Sequence, residues 1–435
     1  MSDWVCIRTY GCQMNKADSA HMAGLLRDAG YRLTDALEGA DVVLINTCTV
    51  RQGAEDRVVQ LARSLAGMRE GPRVVGLCGC VAERRGEQLL EEIQGISFIV
   101  GPGHIHRIAE LVENALKRRE RGCLLGFPGI FGANTPRPRP QLAEMVKIVE
   151  GCTNFCAYCI VPHVRGPERS RTQDSILQEV EDLVDRGVRE VALLGQNVMA
   201  YQVEQGKAPG SGILQLLEAL SGIPDLWRVR LITSHPRDVR PEFVRSLSRY
   251  PIFCPQFQMP FQAGNDEVLA RMGRGYTRKE YLKRVEVIKE VFPDSTLFVD
   301  IIVGFPGETA SQFEDTLSLI RATEPDRAYI FKYSPRPGTR AASWEDDVPE
   351  EEKQRRLLEA EQLHKSLVMS NNQTRLGQSV EVLCEGESKK DADRFSGRTR
   401  EGRIVVYPRQ EGDEGRLVMV TLESASPVCF YGVRG

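Results

Sequence analysis

Gly151-Cys152-Thr153-Asn154-Phe155-Cys156-Ala157-Tyr158-Cys159 sets three cysteines three and then two residues apart, with no equally close fourth. Thiolates are soft donors suited to iron; four would close a 4Fe-4S cluster, and three leave one iron open to bind and activate a ligand. The competing reading is a zinc knuckle. Zinc sites usually pair two such hooks, and only His163 offers itself as a fourth ligand after Cys159. The stretch follows a strand-like run, Val146 to Glu150, the first of six. The others are Glu190 to Leu194, Arg228 to Ile232, Gln256 to Pro260, Thr296 to Val303 and Ala328 to Tyr333. Helical patterns separate them at Gln173 to Asp185, Ile213 to Leu220, Pro241 to Ser248, Arg278 to Val291 and Ser311 to Ala322. Six βα units predict an incomplete parallel (β/α)6 barrel with its site in the loops at the carboxyl ends of the strands.

Upstream, the same α/β alternation predicts a parallel sheet covered by helices. Strands are expected at Val5 to Tyr10, Asp41 to Asn46, Arg73 to Leu77 and Ser97 to Val100. Helices are expected at Ala20 to Asp28, Glu55 to Met68, Gly86 to Ile93 and His104 to Arg118. Three strands end at a cysteine: Thr9-Tyr10-Gly11-Cys12, Ile45-Asn46-Thr47-Cys48 and Leu77-Cys78-Gly79-Cys80. The carboxyl ends of adjacent parallel strands share one edge, so these thiols should converge into a second three-thiolate site. Cys78 competes with Cys80, because residues two apart on a strand face the same side. Cys80 is preferred: Gly79-Cys80 echoes Gly11-Cys12 at the start of a turn. Cys6, Cys123, Cys254, Cys384 and Cys429 read as packing residues.

With 435 residues, 41% of them hydrophobic, the chain can bury two or three cores. No run of about 18 uncharged apolar residues occurs, and MSDWVCIRTY lacks the regions of a signal peptide, so a cytoplasmic protein without a membrane span is expected. The twelve cysteines then point to metal or redox work rather than disulfides. The net charge of −3 confines any nucleic-acid surface to a local patch. A proline- and glycine-rich connector is expected over 122–141, bounding an amino-terminal domain at 1–121 and a barrel domain with its connecting helix, Glu350 to Asn371, at 142–372. Short β-rich runs at Val380 to Cys384, Gly402 to Tyr407 and Leu417 to Leu422 suggest a small β-barrel over 373–435, a size that commonly binds oligonucleotides. Lys389, Lys390, Arg394, Arg398, Arg400 and Arg403 outnumber the acids Asp391, Asp393 and Glu401 around them, and Phe395, Tyr407 or Phe430 could stack on bases. A solvated charged hairpin would have the same composition.

C-x-x-x-C-x-x-C after a strand, with Tyr158 before the last cysteine, resembles the radical S-adenosylmethionine enzymes. In that family the open iron chelates S-adenosylmethionine, and the reduced cluster cleaves it to a 5′-deoxyadenosyl radical. Around the barrel mouth this makes Gln196, Asn197, Ser234, Gln262, Gly304 and Glu308 candidate contacts. Ser234 and Gln262 would reach ribose or the methionine portion, and the Gly304 to Glu308 backbone would approach adenine.

The order of parts over essentially the whole chain resembles the methylthiotransferases, and the last segment their TRAM domain. Thr9-Tyr10-Gly11-Cys12-Gln13-Met14-Asn15 is similar to the branch acting on isopentenylated adenosine at tRNA position 37, as are Leu194 to Val198 and Gly304 to Glu308; Met199 departs where an asparagine is expected. The resemblance implies two 4Fe-4S clusters, on Cys152, Cys156 and Cys159 and on Cys12, Cys48 and Cys80. One S-adenosylmethionine would serve as radical source and one as methyl donor, the sulfur coming from the second cluster. It also implies a tRNA partner, a low-potential electron donor such as flavodoxin or ferredoxin, and a monomer. Rival readings are methylthiolation of threonylcarbamoyladenosine in tRNA or of a ribosomal-protein aspartate, a redox-sensing binding protein, and a non-enzymatic RNA-binding factor.

Overall fold

Apolar runs alternating with amphipathic ones build the first sheet. Its elements are β1 (Trp4–Thr9), α1 (Gln13–Asp28), β2 (Arg32–Thr34), β3 (Val42–Thr47), α2 (Gln52–Ala66), β4 (Val74–Gly79), α3 (Cys80–Glu92), β5 (Phe98–Val100), α4 (Ile108–Arg118) and β6 (Gly122–Leu124). The strand order is β2-β1-β3-β4-β5-β6, parallel throughout. β3 and β4 are buried along their whole length, which is why they read as unbroken apolar runs. One core, with Ile45, Val58 and Leu77, lies under α2 and α3, and the other, with Met22, Leu44 and Val112, lies under α1 and α4. The computed structural model describes residues 3–49, 52–68, 70–128, 140–202 and 208–435. Residues 129–139 of the expected connector therefore lie outside the described residues. Its first residues do not: Gly122 to Leu124 form the edge strand β6, a position where only one side needs a partner. α3 starts at Cys80 rather than Gly86, and its backbone breaks at Gly86 (φ 38°), so the expected helix is its second half.

The second unit comprises β7 (Ala143–Lys147), β8 (Val149–Glu150), α5 (Val161–Arg165), β9 (Arg169–Ser170), α6 (Gln173–Asp185), β10 (Glu190–Leu194), α7 (Ser211–Leu220), β11 (Arg228–Ile232), α8 (Pro241–Leu247), β12 (Gln256–Gln258), α9 (Asp266–Met272), α10 (Arg278–Val291), β13 (Thr296–Val303), α11 (Ala310–Thr323), β14 (Arg327–Lys332) and α12 (Glu350–Gln373). The ladders β7/β10/β11 and β12/β13/β14 are parallel. A bridge between Val229 and Phe253 joins them. The six strands thus follow in chain order, and among the described residues β7 and β14 do not pair, giving the expected open barrel. The first strand ends earlier than expected: Val149 and Glu150 turn aside to pair antiparallel with Ser170 and Arg169. That hairpin frames the cysteine segment.

β15 (Ser379–Ser388), β16 (Asp391–Thr399), β17 (Ile404–Pro408), β18 (Leu417–Ala425) and β19 (Phe430–Arg434) close a small barrel in the order β15-β16-β17-β19-β18. The charged run after Lys390 is therefore a strand. Phe395, Tyr407 and Phe430, expected as stacking residues, are buried in this barrel's core, because they occupy its inward-facing positions. The β16–β17 turn docks on the amino-terminal ends of the (β/α)6 strands. Arg228 donates to the carbonyl of Arg398 (2.8 Å) and Arg230 to those of Thr399 (3.0 Å) and Arg400 (2.8 Å). Thr296 donates to the carbonyl of Glu401 (2.5 Å), and Arg403 donates to those of Asp294 and Ser295. Arg400 and Arg403 thus serve protein contacts. No helix among the described residues is long and apolar enough to cross a membrane.

Candidate active site

Cys12 precedes the first turn of α1, Cys48 follows β3, and Cys80 opens α3, so the three thiols stand at the carboxyl ends of the adjacent strands β1, β3 and β4. Two glycines permit the crowding. A Cβ on Gly11 would meet Cys48 Cβ at 2.5 Å, and one on Gly79 (φ 91°) would meet Asn46 Oδ1 at 2.5 Å. Asn15 lashes α1 to β3 by donating to Asn46 Oδ1 (3.0 Å) and the Thr47 carbonyl (2.8 Å), while its own Oδ1 accepts from Cys12 Sγ (3.3 Å). A hydrogen bond with Cys48 holds the Cys12 thiol down at about 6, against burial and with help from Arg165. Burial pushes Cys80 up to about 11, opposed by Arg165. Cys78 does not join them. Gly79 ends the strand, so the expectation that positions 78 and 80 share a side fails: Cys78 packs with Val5, Met22 and Phe98, and Cys80 packs with Ile160 and Val164 of the barrel unit.

Cys152, Cys156 and Cys159 lie on the loop from β8 to α5. Gly151 (φ 85°) accepts no side chain, since a Cβ would stand 2.0 Å from the Pro167 carbonyl oxygen. Its amide donates to Gln196 Oε1 (2.8 Å); Ala157 donates to the Met272 carbonyl (2.8 Å) and accepts from Ala341 (2.8 Å). Segments that follow β10, β12 and β14 therefore staple the cysteine loop. Burial, then the charges of Cys156 and Cys152, push Cys159 up to about 12, so the three thiols are close enough to oppose one another's ionisation. A cationic iron core offsets that repulsion, and an all-sulfur donor set fits it. Among the described residues no group of three or more His, Cys, Asp or Glu is placed to hold a metal ion; a cluster instead draws each thiolate to a different iron. His163, the fourth ligand of the zinc reading, meets Phe155 edge-on at 6.4 Å.

Arg165 of α5 ties the first thiol set to the barrel unit. It donates from Nε to Cys80 Sγ (3.3 Å), from Nη1 to Glu150 (2.9 Å) and from Nη2 to Asp18 of α1 (2.7 Å). Lys147 also reaches Asp18 (2.8 Å), and Arg169 reaches Glu150 (3.1 Å). Burial would raise the Asp18 carboxyl, but Arg165 and Lys147 prevail and hold it at about 2. No motif marks these residues, because Arg165 and Asp18 are 147 positions apart. The cysteine-bearing edges of the two units therefore meet through a buried ion network.

The Radical SAM superfamily matches residues 146–320, and Uncharacterized protein family UPF0004 matches residues 4–101. The chain is 40% identical over 98% of its length to the tRNA-2-methylthio-N(6)-dimethylallyladenosine synthase of Moorella thermoacetica, of which it covers 97%. It is 42% identical over 93% of its length to the protein of that name from Pelobacter propionicus, of which it covers 92%. This chain belongs to the tRNA-2-methylthio-N(6)-dimethylallyladenosine synthase family. A similar solved fold is the radical S-adenosylmethionine methyltransferase TsrM from Kitasatospora setae, with a TM-score of 0.57, 15% identity, and coverage of 79% of this chain and 77% of that one.

For a member of this family, the barrel mouth sorts the six expected contacts. Gln196 holds the cysteine loop through Gly151. Asn197 is committed to the scaffold, donating to Asp238 (2.8 Å) and accepting from the His235 amide (3.1 Å). Ser234 and Gln262 sit buried at the carboxyl ends of β11 and β12, Gln262 in a left-handed conformation (φ 71°) with its backbone paired to Asp300 and Ile302. Gly304 lies close against α12, as a Cβ would meet Lys353 Cγ at 2.3 Å. Glu308 accepts from the Gly304 amide (2.6 Å) and Arg356 (2.8 Å), tying that loop to the same helix. Met199 is buried beside Gly210 and Phe243, so the asparagine expected there would lie in the core. His235 follows Ser234 at the end of β11. Burial, then Arg274 and Arg237, hold it at about 2 and therefore neutral; Nδ1 accepts from the Arg237 amide (3.3 Å), leaving the proton on a buried Nε2 that has no partner among the described residues.

Proposed function

We propose that this chain converts N6-isopentenyladenosine at position 37 of tRNA to its 2-methylthio derivative. The observation that carries the reading is the packing of Cys80 on Ile160, the neighbour of Cys159, which puts the edges bearing the two three-cysteine sets side by side in a family of this activity. Cys152, Cys156 and Cys159 would hold one 4Fe-4S cluster, and Cys12, Cys48 and Cys80 the other. When bound, these groups with S-adenosylmethionine supply a radical able to take hydrogen from an unactivated aromatic C–H, and the sulfur and methyl group that replace it. The chain's own residues position and exclude. Gln196, Met272 and Ala341 fix the cysteine loop, Arg165 sets its distance from Cys80, and neutral His235 offers a hydrogen-bond donor in the mouth. In the small barrel, exposed Lys389, Lys390 and Arg409, with Arg394 stacked 5.9 Å from the Tyr431 ring, would contact tRNA phosphates and bases. The electron donor would be a low-potential flavodoxin or ferredoxin, and the working unit a cytoplasmic monomer. The rivals acting on threonylcarbamoyladenosine or a ribosomal-protein aspartate are not favoured by relatives bearing the isopentenyladenosine enzyme's name.

Nucleoside mass spectrometry of tRNA from a deletion strain, with and without this chain, should show the 2-methylthio derivative only with it. Unchanged nucleosides would sink the reading. Anaerobic reconstitution should give about eight irons per chain, and about four would remove one cluster.

A further inference from the structure

Arg274 is a buried cation without a carboxylate partner among the described residues. Its Nε donates to the Tyr276 hydroxyl (3.3 Å), its Nη1 to Cys156 Sγ (3.4 Å) and the Tyr158 hydroxyl (3.4 Å), and its Nη2 to the Pro260 carbonyl (2.6 Å). All of these partners are neutral except the cysteine when ionised. Five other buried arginines are treated differently: Arg165, Arg171, Arg228, Arg230 and Arg356 each form an ion pair with Asp or Glu. An unpaired buried charge costs several kcal/mol, so a fold keeps one only where an anion answers it. Among the described residues, the one anionic group within reach of Arg274 is the Cys152, Cys156 and Cys159 set.

We propose that Arg274 is the built-in counter-charge of the cluster held by these cysteines and favours its one-electron-reduced form. The inference rests on the reading of the three as cluster ligands. A tris-thiolate 4Fe-4S cluster is anionic and becomes more so when it takes one electron from a low-potential donor, so a fixed cation donating to a ligand sulfur stabilises the reduced state more than the oxidised one. The same contact orients Cys156 from the α9–α10 connection. Arg165 lacks this effect, because Asp18 and Glu150 already answer its charge. Arg274 is thus a positioning residue acting through Cys156.

The test uses full-length protein with Cys12, Cys48 and Cys80 replaced by Ala, so that only the second cluster assembles, titrated with dithionite and mediators and followed by electron paramagnetic resonance. If this background binds no 4Fe-4S cluster, the ligand reading fails. If it does, Arg274→Gln should lower the reduced-to-oxidised ratio at a given potential about tenfold, 59 mV for a one-electron couple. Arg274→Lys should restore most of it. An unchanged potential in Arg274→Gln, or an equal fall in Arg274→Lys, overturns the inference. If Arg274→Gln and Arg274→Met both fail to hold iron, a cluster assembled by Arg274→Lys supports the counter-charge, and failure of the lysine variant as well reduces Arg274 to a structural fit.

Discussion

Replacing Asp18 by Asn should separate the two cysteine-bearing units. The carboxylate is fully buried and takes hydrogen bonds from Arg165 (2.7 Å) and Lys147 (2.8 Å), both outside its own domain. The amide leaves buried Arg165 and half-buried Lys147 sharing fewer anions, and losing one partner of a buried ion pair typically costs about 3–5 kcal/mol. Holding the carboxyl at about 2 against its ordinary 3.8 accounts for about 2 kcal/mol of this at neutral pH. Because the folded value is depressed, that contribution is complete above about pH 4 and is lost as the pH falls toward about 2. Urea unfolding of the apoprotein at pH 7 and at pH 3 measures both numbers. Asp18→Asn should lose about 3 kcal/mol or more at pH 7 and less at pH 3. In the reconstituted enzyme 5′-deoxyadenosine should still form while methylthio product falls at least tenfold. A loss below about 1 kcal/mol at pH 7 would refute the network as the clasp between units, and an equal fall of both products would refute its role in coupling.

Cys80→Ala should abolish methylthiolation with 5′-deoxyadenosine retained, whereas Cys78→Ala should keep both and cost only about 1–2 kcal/mol of core packing, read from activity and melting; an inactive Cys78 variant reverses the assignment. Arg230→Ala removes the bidentate partner of Glu190 and two carbonyl contacts to the β16–β17 turn, so it should destabilise by about 3–5 kcal/mol and open residues 399–403 to protease. Gly304→Ala must adopt φ 68° with a Cβ 2.3 Å from Lys353, and should cost about 1–3 kcal/mol in a thermal melt, more than the same change at Gly187, where a Cβ meets nothing within 4 Å.

How far the residues could be read in advance follows from the range of the forces involved. Strand and helix periods are local, so β10, β11, β13, α6 and α10 end where the pattern ends. The convergence of Cys12, Cys48 and Cys80 was legible because parallel neighbours in a βαβ series must share an edge. β6 and β16 were hidden: one is a three-residue edge strand, and the other is a charged run whose inward side chains alternate with solvated ones.

The sequence by itself determined the two three-thiolate sets, the order of three folded units and the barrel that carries the mouth, because spacing and hydrophobic period are properties of neighbouring residues. Tertiary structure alone decided what each of these groups touches. Asn197 and Gly304 went to the scaffold, Cys78 to a core, and Phe395, Tyr407 and Phe430 to the inside of the small barrel. Arg165 and Arg274 each reach a cysteine sulfur, and Asp18 answers Arg165. The physical reason is that a buried charge is settled by whatever anion the fold brings to it, and that partner can lie more than a hundred residues away.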